Sequence, residues 1–277
     1  MSNNIRPLLR SNKTAIMGIV NTTPDSFSDG GEFHQLESAF THSLELISQG
    51  ADILDVGGES TRPGADKVST QQELDRVIPL IEKLHAESDV PISIDTYKTN
   101  VMQAALNAGA SMVNDVNGLR ESGAIEVVAK ANMPVCIMHM LGAPKTMQQS
   151  PEYENVTDEV IAFLSAQIQE CQNQGIERGD IIVDPGIGFG KTLQHNLELL
   201  NNVKQIKDQL SCSVLIGVSR KSMIDKLFGR AVNERLAGSL GLAVQSVLNG
   251  AKIIRVHDVR QTFDAIRSVE AVINSQL

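Results

Sequence analysis

Tryptophan is absent from this 277-residue sequence, and aromatic side chains make up only 3% of it. A large core must therefore be built from Val, Ile, Leu, Ala and Met, which suits the layered aliphatic packing of a parallel barrel. Cysteine is scarce as well. Cys136, Cys171 and Cys212 are far apart and odd in number, which excludes a disulfide framework and a Cys-x-x-Cys zinc site. A reducing cytoplasm is the expected home. No run of about 18 apolar residues occurs, so no membrane span is expected. The opening MSNNIRPLLR lacks the apolar stretch of a signal peptide. Basic residues are outnumbered, 24 Lys and Arg against 33 Asp and Glu, for a net charge of −9. No nucleic acid partner is expected of such a chain, and any anionic ligand must find a locally basic site.

Aliphatic residues are abundant, and hydrophobic residues reach 42%. They fall in short runs, each followed by a polar or Gly-rich turn and then a helical pattern. The spacing predicts eight strands: Thr14–Val20, Asp52–Val56, Pro91–Ile94, Ser111–Val113, Pro134–Met138, Ile181–Val183, Val214–Val218 and Lys252–Val256. Between them, Leu36, Phe40, Leu44 and Ile47 form one helical stripe. Leu74, Val77, Ile78, Ile81 and Leu84 form another, opened by a predicted capping box at Thr70 and Glu73. Leu193, Leu197, Leu200, Val203, Ile206 and Leu210 form a third. Gly50, Gly109, Gly175 and Gly250 stand where helices should stop. Strict strand–helix alternation requires parallel pairing, because parallel strands need a crossover. The expectation is one (β/α)8 barrel domain over 1–277, the size of a typical barrel of about 250 residues. An open doubly wound sheet is the rival. The Gly-rich segment after Val183 lacks G-x-G-x-x-G spacing, which argues against it. A helix from about Val232 to Asn249 is apolar around much of its girth, which predicts burial on more than one face, by a homodimer partner or by a neighbouring helix.

Active sites of such barrels lie past the C-terminal strand ends. Here those ends carry Asn21, Asp55, Asp95, Asn114 with Asp115, His139, Asp184, Ser219 with Arg220 and Lys221, and Arg255 with His257. A lone Asp or His at such a place is commonly a turn or cap residue. Eight polar strand ends together weaken that reading. Asp95, Asn114 and Asp184 can pair with a ring edge that carries amino and imino donors. Arg62, Lys221, Arg255 and His257 supply cations for an anionic group. The combination points to a heterocycle with a guanidine-like edge, joined to something phosphorylated. Two long loops, about Thr22–Phe33 and Gly57–Lys67, read as lids over that site.

Eight segments carry a further signal: GIVNTTPDSFSDGG (Gly18–Gly31), DVGGESTRPGA (Asp55–Ala65), IDTYK (Ile94–Lys98), NDVNG (Asn114–Gly118), MHM (Met138–Met140), DPGIGFGKT (Asp184–Thr192), GVSRKSMI (Gly217–Ile224) and RVHDV (Arg255–Val259). In this order, and over essentially the whole chain, the set resembles the dihydropteroate synthase family of pterin-binding barrels. The resemblance implies a Mg²⁺-assisted transferase of folate biosynthesis. It would join para-aminobenzoate to 6-hydroxymethyl-7,8-dihydropterin pyrophosphate, giving 7,8-dihydropteroate and pyrophosphate, and it would be a target of sulfonamide inhibitors.

The resemblance also implies roles. Asp95, Asn114, Met138, Asp184 and Lys221 would form the pterin pocket, with Arg255 stacked on the ring. Asn21, Thr61, Arg255 and His257 would hold the pyrophosphate, with Asn21 as the metal ligand. Thr61, Arg62, Pro63, Phe189, Ser219 and Lys221 would form the para-aminobenzoate site. Asp95, Lys221, Arg255 and His257 are the implied catalytic residues. No general base is implied, because the arylamine is already a neutral nucleophile. His139 receives no role. The rivals are a methyltetrahydrofolate-dependent methyltransferase with a corrinoid partner, which would not need Thr61, Arg62, Lys221 and His257 around a pyrophosphate, and a non-catalytic pterin-binding protein.

Overall fold

In the computed structural model of the chain, residues 4–22, 32–60, 67–142, 147–148 and 150–274 are described. Eight parallel strands close into a barrel in sequence order: β1 (Ala15–Asn21), β2 (Ile53–Gly57), β3 (Ile92–Asp95), β4 (Met112–Asp115), β5 (Val135–Met138), β6 (Ile181–Asp184), β7 (Ser213–Ile216) and β8 (Ile253–Val256). Closure comes from β1 pairing with β8, Ala15 opposite Ile253 and Met17 opposite Arg255. Around the barrel run α2 (Glu32–Ser48), α3 (Thr70–Glu87), α4 (Thr99–Ala108), α5 (Ala124–Ala131), α6 (Val156–Asn173), α7 (Leu193–Asn201), α8 (Val203–Leu210), α9 (Ser222–Phe228), α10 (Leu236–Leu248) and α11 (Val259–Asn274). A short helix, α1 (Arg6–Arg10), precedes the first strand.

Successive strand residues face opposite sides of the sheet. One set, including Ile16, Leu54, Ile94, Val113, Ile137, Val183, Val214 and Ile254, packs outward under the helices. The other set turns inward. Met17, Ile53, Met112, Cys136, Ile182, Leu215 and Ile253 form an apolar cluster inside the barrel near the strand starts. The same period carries the inner face two residues on, to Asp55, Asn114, Met138, Asp184 and Arg255. The barrel interior thus changes from aliphatic to charged over one pleat repeat. At the aliphatic end, Ile5 is fully buried and Leu8 and Leu9 of α1 pack on the cluster. Burying Ile5 contributes about 2 kcal/mol. Arg6 fastens this floor, donating through Nε and Nη2 to Asp180 at 2.9 and 2.7 Å and through Nη2 to the Asn132 carbonyl at 2.8 Å.

Most expectations about elements hold, with shifts that have local causes. The four stop glycines have φ between 91° and 116°. At Gly109 a Cβ would stand 2.4 Å from His85, so the turn needs both left-handed backbone and an empty side-chain position. The capping box lies one residue earlier than predicted. Ser69 Oγ accepts from the Gln72 amide, and Gln72 accepts from the Ser69 amide. Glu73 is instead held by the Lys98 ammonium at 2.6 Å. The predicted single helix through Leu193–Leu210 breaks at Asn202, whose amide group reaches Thr157 Oγ1 at 3.0 Å. β7 stops at Ile216 rather than Val218, because the chain turns at Arg220, where φ is 58° and the Lys221 amide bonds back to the Val218 carbonyl. The apolar helix begins at Leu236, after a 3₁₀ turn at Val232–Glu234.

Candidate active site

At the charged end of the barrel, β2, β3, β4 and β8 converge on one ionic knot. Asp55, fully buried, accepts through Oδ2 from Arg255 Nε at 2.6 Å and from Asn114 Nδ2 at 3.1 Å. Asp95 Oδ2 accepts from Arg255 Nη2 at 2.6 Å. The strand register sets Asp95 between Gly57 and Asn114, and Gly57 leaves the room beside it that a side chain would fill. Burial works against the charge on Arg255, but Asp55 and Asp95 outweigh it and hold the guanidinium above its ordinary range. Burial pushes the Asp95 carboxyl up to about 7, opposed by Arg255 and assisted by Asp55. Asp95 Oδ1 is buried and has no hydrogen-bond donor.

Across the mouth, β6 and β7 supply a second group. Asp184 Oδ1 accepts from the Gly186 amide at 2.7 Å. Burial raises the Asp184 pKa, and the Lys221 charge opposes the rise. Lys221 Nζ donates to the Ile187 carbonyl and sits 4.6 Å from the centre of the Phe189 ring. Burial lowers the Lys221 pKa to about 8, with Asp184 opposing and Arg255 assisting. Met138 lies opposite Asp184 in the β5–β6 register. With Val116, Met140 and Met147 it forms an apolar wall, against which Tyr97 and Phe189 pack. A small cavity beside Lys221 is also lined by Gln148, Gly188, Asn196 and Ser222.

Ser219 and His257 tie β7 to β8. The Ser219 hydroxyl lies 3.1 Å from His257 Nδ1 and accepts from the His257 amide at 3.2 Å. Asn21 ends β1 opposite Gly57. Of the predicted site residues, the structure thus gathers Asp95, Asn114, Arg255, Met138, Asp184, Phe189 and Lys221 around one mouth, with Ser219, His257 and Asn21 on strand ends of the same side. Thr61, Arg62 and Pro63 lie outside the described residues, as do the central parts of both predicted loops.

Several polar residues that sequence reasoning left without a role have one here. Asp55, expected only as a polar strand end, holds Arg255 and Asn114 together. Asp115 is a turn residue, its two oxygens accepting from the Asn117 and Leu119 amides at 2.7 Å. Lys98 gathers Glu59, Glu73 and the Val68 carbonyl, and Tyr97 donates to Glu59, so this cluster braces the base of the β2–α3 connection. His139 meets Lys191, with Nδ1 at 2.9 Å from Nζ.

A resident metal centre finds no carboxylate cage. Among the described residues no group of three or more His, Cys, Asp or Glu is placed to hold an ion. Asn21 offers one neutral amide oxygen. That fits a hard cation such as Mg²⁺, which keeps most of its waters and takes further oxygens from a substrate's phosphates.

Comparisons with known proteins agree in direction. A family model described as pterin binding enzyme matches residues 17–257. Dihydropteroate synthase from Escherichia coli is 47% identical over 261 residues, covering 94% of this chain and 92% of that protein. A crystal structure of Yersinia pestis dihydropteroate synthase with a sulfonamide drug complex superposes with a TM-score of 0.90 at 45% identity, covering 95% of each chain. The Xanthomonas albilineans enzyme with 4-aminobenzoic acid superposes with a TM-score of 0.89 at 45% identity, covering 95% of this chain and 94% of that one.

Proposed function

The chain belongs to the pterin-binding enzyme family, among the dihydropteroate synthases, and on that premise we propose how the residues of its barrel mouth share the reaction. The reaction joins para-aminobenzoate to 6-hydroxymethyl-7,8-dihydropterin pyrophosphate and yields 7,8-dihydropteroate and pyrophosphate. The observation that carries the division of labour is that the ionic knot leaves carboxylate oxygens unmatched, Asp55 Oδ1 below and Asp95 Oδ1 at the strand end. Asp95 Oδ1 is buried without a donor. A buried acceptor in that condition costs about 1–3 kcal/mol, which a ligand N–H removes.

Asp95, Asn114 and Asp184 take the amino and imino edge of the pterin. Asp184 reaches the 2-amino group and N3–H with the oxygen that Gly186 leaves, and Lys221 reaches the ring carbonyl or N5. Arg255, fixed by Asp55 and Asp95, lies against the ring and serves the pyrophosphate together with His257, Thr61 and Asn21. Met138 supplies the apolar wall. Phe189, Lys221, Ser219 and the segment Thr61–Pro63 form the para-aminobenzoate site.

The carbon that loses pyrophosphate is conjugated with an electron-rich dihydropterin ring. A cation-like path therefore suits this mouth: pyrophosphate leaves first, and the arylamine then attacks. The Asp95 carboxylate faces the developing ring charge, and cations at the rim neutralise the leaving group. Mg²⁺, held through Asn21, adds further neutralisation of the pyrophosphate charge when bound. Pyrophosphate release that depends on both para-aminobenzoate and Mg²⁺ is the expected result. Tight pterin binding without release would refute the assignment. A sulfonamide should inhibit at concentrations comparable to the para-aminobenzoate KM. An inhibition constant far above that KM would sink the drug-sensitive reading.

We also place the protein in the cytoplasm as a homodimer. The three cysteines are free and buried, and no helix among the described residues is long and apolar enough to cross a membrane. α10 packs between α7 and α11, yet an apolar groove between α9 and α10 stays open, lined by Ile224, Leu227, Phe228, Ala237 and Leu242. Phe228, at 61% exposure, is the side chain a second copy would cover. Sedimentation at micromolar concentration should show a dimer, and a monomer there would dismiss it.

A further inference from the structure

Lys191 is the largest fully buried side chain among the described residues, at 1% exposure. Its neighbours are unusual for an ammonium. Nζ meets His139 Nδ1 at 2.9 Å, the Phe189 carbonyl at 3.0 Å and the His139 carbonyl at 3.4 Å, and none of these is a carboxylate. Burial pushes the Lys191 pKa down to about 7, with Asp184 opposing and Lys221 assisting. Burial, together with the Lys191 and Arg120 charges, pushes His139 down to about 3, so the imidazole is neutral. Nδ1 is then the acceptor, and the ring proton sits on Nε2.

The loop Gly186–Gly190 lies between this pair and the site. Each of its carbonyls has a donor: Phe189 N on Gly186, Lys221 Nζ on Ile187, Gln148 Nε2 on Gly188, Lys191 Nζ on Phe189 and Tyr153 Oη on Gly190. Two lysines therefore hold the loop, Lys221 at the mouth and Lys191 from within. Gly186 completes the fit, because a Cβ there would stand 1.9 Å from the His139 carbonyl. We propose that Lys191, with His139 as its acceptor, is a positioning residue for the arylamine half of the reaction: it fixes the Phe189 ring and the Ile187 carbonyl, and through that carbonyl the Lys221 ammonium. The proposal rests on the reading that Phe189 and Lys221 border the para-aminobenzoate site.

A purely structural role makes a different prediction. Exchanging Lys191 for an apolar side chain removes a buried charge but leaves His139 Nδ1 and the Phe189 carbonyl without their donor, so a change in stability alone decides nothing. With a purely structural role, Lys191→Met should leave the kinetics alone. Positioning predicts instead, in the folded variant, a para-aminobenzoate KM about tenfold higher, while the KM for the pterin pyrophosphate moves less than about twofold. An unchanged para-aminobenzoate KM in the folded variant overturns the proposal. If Lys191→Met does not fold, His139→Leu should raise the same KM and His139→Gln, which keeps an acceptor, should restore it. Equal values for those two variants overturn the proposal as well. Phe189→Ala separates the two levels. If it leaves the para-aminobenzoate KM unchanged, the underlying site assignment is wrong. If it raises that KM while Lys191→Met does not, only the positioning role is wrong.

Discussion

The two ends of this barrel are built from the same strands and solve opposite problems. At the floor, Met17, Ile53, Met112, Ile182 and Ile253 meet Ile5, Leu8 and Leu9 at the chain's own first helix, and Arg6 fastens that helix to Asp180 bidentately. At the mouth, two residues further along the same faces, stand Asp55, Asn114, Asp184 and Arg255, and acceptors such as Asp95 Oδ1 have no donor. The floor is held by apolar contacts of the protein itself, with the buried Ser93 hydroxyl, level with Met112, left without a partner. The mouth is complete only with a ligand. Stability and function are therefore separated along the barrel axis, within a single pleat repeat of each strand.

The comparison can be broken most sharply at Lys221. Lys221→Ala should lower turnover by about 10²- to 10³-fold, the scale of losing a charge that faces the reacting groups, with little change in the denaturation midpoint. Wild-type kinetics in that variant would mean that the mouth is drawn wrongly. The reverse pattern belongs to the floor. Met17→Ala should cost about 2–5 kcal/mol of stability in urea titrations, while turnover per folded molecule stays the same. A large activity loss without destabilisation would place the floor in the catalytic machinery.

Two smaller effects test the charges. Lys221, lowered to about 8, loses its proton as the pH rises through that value. Asp95, raised to about 7, gains its negative charge as the pH rises through that one. The kcat/KM for the pterin substrate should therefore climb up to about pH 7 and fall above about pH 8, and Lys221→Met should lack the alkaline limb. The last effect is smaller than one proton. A ligand that donates to Asp95 Oδ1 lowers that group's pKa, so pterin binding near pH 7 should release about half a proton. Calorimetry in buffers of different ionisation enthalpy measures it, and no release, or uptake, would remove Asp95 from the contact.

The sequence made the strands legible for one reason: short apolar runs and helix stops at glycine are local signals, whereas the helix Arg6–Arg10 under the floor went unread because its contacts are with strands spread along the chain. Strand limits come out within one or two residues, and Gly50, Gly109, Gly175 and Gly250 stop their helices as expected. Local ambiguity explains the displaced capping box, since Ser69 with Gln72 and Thr70 with Glu73 both fit the pattern, and only the distant Lys98 decides between them. Asp95, Asn114 and Asp184 were readable as strand-end acceptors. Asp55 was visible as a polar strand end, but its partners Asn114 and Arg255 are 59 and 200 residues away. His139 could not be placed because its partner, Lys191, stands 52 residues on and belongs to another strand's loop. Pairings of that kind follow from closure of the barrel, which no local pattern encodes.

The plug formed by Ile5, Leu8 and Leu9 has a consequence for traffic. A barrel stoppered at one end is a cup with a single door. Below the mouth the axis is filled by aliphatic side chains of the strands and of the first helix, so no route runs through the barrel. A ligand of the mouth therefore arrives and departs on the strand-end side, past the loops that leave those ends.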